Sequence, residues 1–482
     1  MPKLNFYVDI HAHPCLRAIY CYDKKENRNL WDNVENKEFQ SLIARYMRRQ
    51  TMDIKKYSQS NFTKLSEGKV RVVFDNLYPV EKGWLNYRNL AKVFFGKKGG
   101  LEVFVGTTGI KTEEYRRLQK SKDYFKELIE QYDFLKAEQG KAPNKKNEYY
   151  IASNYKSLKE HIQKNDHRIV VIPCIEGAHS FGAGNPNAKK LSLEEHKILL
   201  SKNISDTKHW EHPPFYVTFA HHFWNQLCGH SKSLKPPTNI AFNQDIGLNT
   251  GITQLGWHVI KELLTNKNGR RILIDTKHMS AKARSEYYEF IHTYNSINPY
   301  EKIPIICSHA AVSTHANFIS SAKEKDSIKK MGTGYHNRWS INMSNEEIRL
   351  IHDSEGLIGF ILDKTVTGGI STIDRIQAME DKNARKEAYL RLIWSNIFHI
   401  IKVSGDISAW DRISLGSDYD GLINSFEDYP DASYLPQLHK DMINFLKVTE
   451  FKKELWYNYD PSTLAYKIFT RNAMDFLEKH YK

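Results

Sequence analysis

Two histidines one residue apart, in the run Asp9-Ile10-His11-Ala12-His13, stand at the end of a strand-like segment that begins at Phe6. Side chains alternate along a strand, so both imidazoles project to one face while Ile10 and Ala12 take the other. Two imidazoles on one strand end can share a divalent cation. With 21 histidines in 482 residues, the pair taken alone reads equally well as surface histidines. Other segments supply company: Cys174-Ile175-Glu176-Gly177, Asp275-Thr276-Lys277-His278, Cys307-Ser308-His309 and Gly416-Ser417-Asp418-Tyr419-Asp420-Gly421. Each again has an ordinary reading: Glu176 beside a helix start, His278 as a hydrogen-bonded rim residue, Asp418 or Asp420 as turn formers. Their recurrence at the ends of successive strand-like runs points to a metal centre instead.

Those residues need elements that bring them together. Short apolar runs recur at Phe6–Ile10, Val70–Leu77, Ile169–Ile175, Phe215–Phe219, Arg271–Asp275, Ile303–Cys307, Leu357–Leu362 and Ile413–Leu415, most of them followed by a helix-like pattern. This is the grammar of repeated βα units. The count predicts an α/β fold of the (β/α)8 TIM-barrel type, whose active sites assemble at the C-terminal rim of the strands, where all the ligand-type residues would meet. Residues 1–482 read as a single barrel, and the long segment 81–157 between the second and third runs reads as a largely helical insertion, Gly-rich near 96–106 and Lys- and Asn-rich near 141–147.

Composition removes several other classes. Lys plus Arg number 70 against 56 Asp plus Glu, a formal charge of +14, but the basic residues are interleaved with acidic ones and no nucleic-acid-binding signature accompanies them. No nucleic-acid partner is expected. No apolar run approaches the roughly 18 residues of a membrane span, and the N-terminus lacks the pattern of a signal peptide. Cys15, Cys21, Cys174, Cys228 and Cys307 form no C-x-x-C pair and are read as reduced. The cytoplasm is the expected compartment. A P-loop, an H-E-x-x-H helix and a G-x-S-x-G elbow are all absent from the sequence.

The order His-x-His, Glu, His, His, Asp resembles the amidohydrolase superfamily, and its finer phrasing looks like the membrane (renal) dipeptidase family. The likeness rests on Asp9 to His13, Ile175-Glu176-Gly177-Ala178-His179, Tyr216 to His221, Leu273 to Ser280, Ile306 to His309 and Leu415 to Gly421. It implies a hydrolase of amide bonds with two metal ions per chain, usually zinc. Glu176 would bridge the ions, His11 and His13 would serve one, and His278 and His309 the other. Paired ions roughly 3.5–4 Å apart share a hydroxide and polarise a carbonyl. In the resemblance Asp418 is the base, and His221 contacts the substrate and its oxyanion. His222 beside it reads as a wall residue, since adjacent side chains diverge.

Two departures stand out. The family typically has His-x-Asp where this chain has His11-x-His13. In Asn337-Arg338-Trp339-Ser340-Ile341-Asn342, the family usually has an Arg immediately before the Asn to hold the substrate's terminal carboxylate, and here that position is Ile341. Arg338, three residues earlier, is the candidate replacement. The leading expectation is a dipeptidase-like metallohydrolase with a closed, polar pocket and a small-molecule dipeptide or related amide as substrate. The alternatives are another amidohydrolase activity (N-acyl amino acid deacylase, cyclic amidase or lactonase) and a non-catalytic binding barrel. The family likeness also implies a homodimer.

Overall fold

The computed structural model describes residues 5–21, 28–34, 57–86, 101–140, 146–164, 167–185, 190–234, 238–323 and 335–482. Parts of the expected insertion, 87–100 and 141–145, and with them much of its Gly-rich and Lys-rich ends, lie outside the described residues.

The described residues contain nine parallel strands: β1 (Tyr7–Ala12), β2 (Val70–Leu77), β3 (Glu148–Ile151), β4 (Arg168–Glu176), β5 (Tyr216–Thr218), β6 (Leu273–Asp275), β7 (Ile306–Ala310), β8 (Leu357–Phe360) and β9 (Ile413–Leu415). Eight of them follow one another in chain order around the sheet, β1-β2-β4-β5-β6-β7-β8-β9. The seam is closed at the strand ends, where the Asp418 amide donates to the His11 carbonyl at 2.9 Å and the His13 amide to the Tyr419 carbonyl at 3.0 Å. This is the (β/α)8 barrel, and all eight expected runs are strands of it, six of them with shifted ends.

All nine residues of β4 are buried, as parallel strands covered on both faces require. The chain turns from strand to helix with conventional chemistry. Ser280 follows β6 and caps Ala281–Ile297 by accepting from the Ala283 amide. Ser344 and Glu347 form a reciprocal capping box on Asn345–Asp353.

Between β2 and β4 the chain forms a 3-10 turn at Lys82–Leu85, a helix over 101–108, the helices Thr112–Lys120 and Tyr124–Ala137, and the strand β3. β3 is an addition to the expected architecture. It pairs with the first half of β4, Glu148 opposite Arg168 through Ile151 opposite Val171. β5 pairs only with the last residues of β4, Ile175 and Glu176. The insertion therefore reaches back into the sheet and fills the pairing edge that the short β5 leaves open. Among the described residues no helix is long and apolar enough to cross a membrane.

Candidate metal centre

Glu176 ends β4, and its carboxylate lies at the centre of five imidazoles. Its Oε2 is 2.8 Å from His13 Nε2. Its Oε1 lies 3.5 Å from Nε2 of both His11 and His221, and 3.8 Å from Nε2 of both His278 and His309. Gly177 follows at φ 94°, and a Cβ there would fall 2.2 Å from the His179 ring, so the turn that aims Glu176 inward requires glycine. Asp418 approaches from the seam, with Oδ1 3.5 Å from His13 Nε2 and 3.7 Å from His11 Nε2. His278 (φ 67°) and Asp418 (φ 60°) both hold left-handed backbone, which is uncommon outside glycine and collects at functional sites.

A layer of hydrogen bonds fixes the rings. His13 Nδ1 is 2.9 Å from the Asn76 carbonyl, which sets a proton on Nδ1 and turns Nε2 inward. His11 Nδ1 lies 2.9 Å from both the Tyr216 hydroxyl and Ser308 Oγ. Tyr216 donates its proton to the Ile10 carbonyl at 2.7 Å, and Ser308 donates to Asp275 Oδ2 at 2.7 Å, so both oxygens are left to accept from His11. Asp275 also accepts from Thr218 Oγ1 and the Ser308 amide. Although it lies close enough to His11 and His309 to be grouped with them as a ligand, its oxygens are already used in holding Ser308. Asp420 is likewise occupied, accepting from Arg17 Nε, the Gln59 amide and the Ser60 amide.

The inner atoms suit a cation. His11 Nε2, His13 Nε2 and Asp418 Oδ1 are buried without a hydrogen-bond partner, even though carboxylate oxygens are near. Two ligand groups of the described residues lie side by side here: His11, His13 and Asp418, and Glu176, His278 and His309, with Glu176 Oε2 against His13 Nε2. Burial, reinforced by neighbouring histidines, holds His278 and His309 well below the ordinary histidine range, so both are neutral and available as ligands. Burial opposes ionisation of Glu176, but His221, His13 and His11 together hold it well below the usual carboxylate range. Burial raises Asp418, against the pull of His13 and His11. Burial opposes a charge on His13, but Glu176 and Asp418 hold it well above the ordinary histidine range. Imidazoles around one central carboxylate form a donor set that fits divalent zinc.

His221 is held by a residue that the sequence reading missed. Glu81, at the very start of the insertion, lies 2.7 Å from His221 Nδ1 through Oε2 and accepts from the Phe223 amide at 2.9 Å and the Tyr78 hydroxyl at 3.0 Å. Burial would raise Glu81, but His221 outweighs it and the carboxyl falls to about 2. Burial acts against the His221 charge too, yet Glu176 and Glu81 raise it above its ordinary value. The available signal was position alone, a carboxylate four residues beyond the end of β2.

Above the cluster lies a cavity of about 340 Å³. Its floor is polar, with Glu176, His221, His278, His309 and Asp418. Its walls are mainly apolar, including Trp84, Leu234, Trp339, Ile341, Ile361 and Val366. The expected polar pocket is thus polar at its base and mixed above it, where Ser233, Thr238, Asp363, Thr365 and Asn424 alternate with bulky apolar side chains from the insertion and the segment at 339–341. Both His221 and His222 line it. The alternation argument for a single inward histidine fails because β5 ends at Thr218 and the pair lies beyond it, outside strand geometry. Arg338, the candidate carboxylate-gripping residue, is exposed and outside the cavity wall, its Nη2 3.1 Å from His315 Nδ1. Ile341, in the same segment, does line it.

No protein-family model and no curated protein matches the sequence. Solved structures do match over nearly the whole chain. A dipeptidase AC, a metallopeptidase of family M19, superposes with TM-score 0.50 at 13% identity, covering 99% of this chain and 98% of its own. A metallopeptidase from Rhodobacter sphaeroides, solved with a phosphinate mimic of the dipeptide L-Ala-D-Ala, gives TM-score 0.52 at 13% identity and 99% coverage of both chains. The probable dipeptidase PvdM from Pseudomonas aeruginosa gives 0.53 at 14% identity, with 99% of this chain and 95% of that one covered. The chain has the barrel fold of these metallopeptidases from end to end.

Proposed function

We propose that the protein is a metal-dependent hydrolase of amide bonds, dipeptidase-like, with two zinc ions per chain held by His11, His13, Glu176, His278 and His309. The observation that carries this reading is the carboxylate of Glu176 set among five imidazoles, with buried ligand atoms of His11, His13 and Asp418 left without hydrogen bonds. The fold shared with three metallopeptidases supports it.

Bound divalent ions would supply an acidified water and a polarised carbonyl. The protein's own groups do the rest. Asp418, raised by burial, takes up a proton and returns it to the leaving amine. His221 offers Nε2–H to the developing oxyanion, and Glu81 on its Nδ1 fixes the ring and its charge. The apolar walls exclude water and receive the substrate's side chains. This reading takes residues 1–482 as one hydrolase barrel, with 81–157 inserted and reaching the cavity through Trp84 and Thr107. Five buried free cysteines fit a reducing compartment such as the cytoplasm, and a homodimer is the proposed assembly.

One observation favours a second reading. With Ile341 in the wall and Arg338 outside it, a cyclic amide or lactone, which need present no free carboxylate, becomes a competing substrate. Elemental analysis of the purified parent and of Glu176→Gln, with dipeptide hydrolysis measured on the same samples, tests the proposal. About two zinc equivalents, lost with activity in the variant, are expected. A parent that neither contains zinc nor becomes active when zinc is added would overturn the reading.

A further inference from the structure

Building on that hydrolase reading, we infer that Lys277 receives the anionic end of the substrate. Lys277 lies just past β6, between Asp275 and His278, and is 2% exposed. Lys277 is among the residues that line the cavity above the candidate metal centre, and its Nζ is buried with no hydrogen-bond partner. Among the described residues of that cavity it is the one lysine or arginine.

An amine held out of water without an acceptor costs free energy in the free protein. A substrate carboxylate supplies the missing acceptor, and a lysine meets it as a compact charge with three donors. The other basic side chains near this wall are already engaged. Arg284 donates to Glu347 at 2.5 Å, to the Met279 carbonyl at 2.6 Å and to the Ser340 carbonyl at 2.8 Å. Those bonds tie the segment carrying Trp339 and Ile341 to the helix that follows β6. Ile341 contributes no charge to the cavity, and Lys277 reaches the same cavity from the neighbouring strand end. The chemical class recognised is an amide substrate with a free carboxylate beyond the scissile bond, its adjoining side chain apolar to suit Trp339, Ile361 and Val366.

The test uses a non-cleavable phosphinate dipeptide with a free carboxylate and its carboxamide counterpart. Both are titrated calorimetrically into zinc-loaded parent, Lys277→Met and Lys277→Arg, alongside steady-state hydrolysis of a dipeptide and its C-terminal amide. The parent is expected to prefer the carboxylate ligand by about 10- to 100-fold, the scale of one charge-assisted hydrogen bond. Lys277→Met loses that preference and raises KM for the dipeptide by a similar factor, with the loss falling on KM rather than kcat. Lys277→Arg retains part of it. Thermal unfolding separates this from a structural role: Lys277→Met removes an unpartnered buried group, so its Tm should equal or exceed the parent's.

Retention of the preference in Lys277→Met, or a Tm several degrees below the parent's, overturns the assignment. A parent that discriminates between the two ligands but cleaves no dipeptide leaves Lys277 in place and removes the dipeptidase reading. A parent that cleaves dipeptide and amide equally well does the reverse.

Discussion

Replacing Glu81 by Gln tests how the site is oriented, because the substitution keeps the side chain's shape and one acceptor oxygen while removing its charge. In the parent, Glu81 Oε2 lies 2.7 Å from His221 Nδ1, and the carboxylate also accepts from the Phe223 amide and the Tyr78 hydroxyl. With Gln, the amide oxygen can serve one of these donors but no longer favours a charged His221. A hydrogen bond to a charged group contributes about 1.5–3 kcal/mol. Lost from the transition state alone, that corresponds to roughly 10- to 100-fold in rate. The expected result is a kcat lower by about that factor with KM little changed, since His221 meets charge that develops during reaction. Steady-state dipeptide hydrolysis, with zinc content measured on each sample, is the assay. Parental kcat in fully metal-loaded Glu81→Gln would refute the reasoning, and a drop matched by metal loss would assign Glu81 to metal retention. Glu81→Leu goes further by stranding buried donors, and should lower stability by about 2–4 kcal/mol in denaturant titration.

Tyr216→Phe removes the hydroxyl that accepts from His11 Nδ1 and donates to Ile10; zinc affinity measured against a competing chelator should fall about 10- to 100-fold. Gly359→Ala would place a Cβ 1.6 Å from the Ser308 carbonyl oxygen, so it should lower stability by roughly 3 kcal/mol or more and weaken metal binding through Ser308; an unchanged Tm would count against the close packing of β7 and β8. Burial, with His336 and Lys402 adding to it, depresses His399 to about 4, and its Nε2 bonds to Asn345. A histidine with a depressed folded pKa contributes its stability above about 6.5 and loses it as pH falls towards 4, on the order of 3 kcal/mol in all. His399→Gln should flatten that limb of the stability–pH curve, and an unaltered curve would contradict it.

The barrel was legible because its strands are almost entirely buried and hence appear as largely apolar runs. Val70–Leu77 and Ile413–Leu415 match the observed strands end to end. The end of β7 moved outward to Ala310, since Ala310 pairs with Phe360 beyond an irregularity at the polar residues Ser308 and His309 that the apolar criterion excluded. β3 escaped because Glu148-Tyr149-Tyr150-Ile151 is short and begins with a charge, though the buried Tyr149 and Ile151 alternate as a strand should. Among the residues of the central cluster, His11, Glu176 and His309 lie within strands, where sequence position fixes direction, and His13, His221, His278 and Asp418 follow a strand end within three residues. Glu81, His222 and the wall around Ile341 lie in connecting segments, whose side-chain directions depend on how loops fold over the rim. Arg338 shows the same limit from the other side: nearness in sequence to Ile341 did not place its guanidinium in the cavity.

The seam between β9 and β1 has a consequence for synthesis. Ser417 hydrogen-bonds through its amide and hydroxyl to Asp9, 408 positions earlier in the chain, and the adjoining residues bring Asp418 against His11 and His13. A nascent chain that has emerged only as far as β8 carries the histidine and glutamate ligands but lacks both the last stave of the barrel and its proton-carrying carboxylate. Contacts this distant in sequence form late. A truncated product ending before Gly416 would therefore have neither a closed barrel nor a complete centre, and hydrolytic competence would be reserved for chains that have been made past Tyr419.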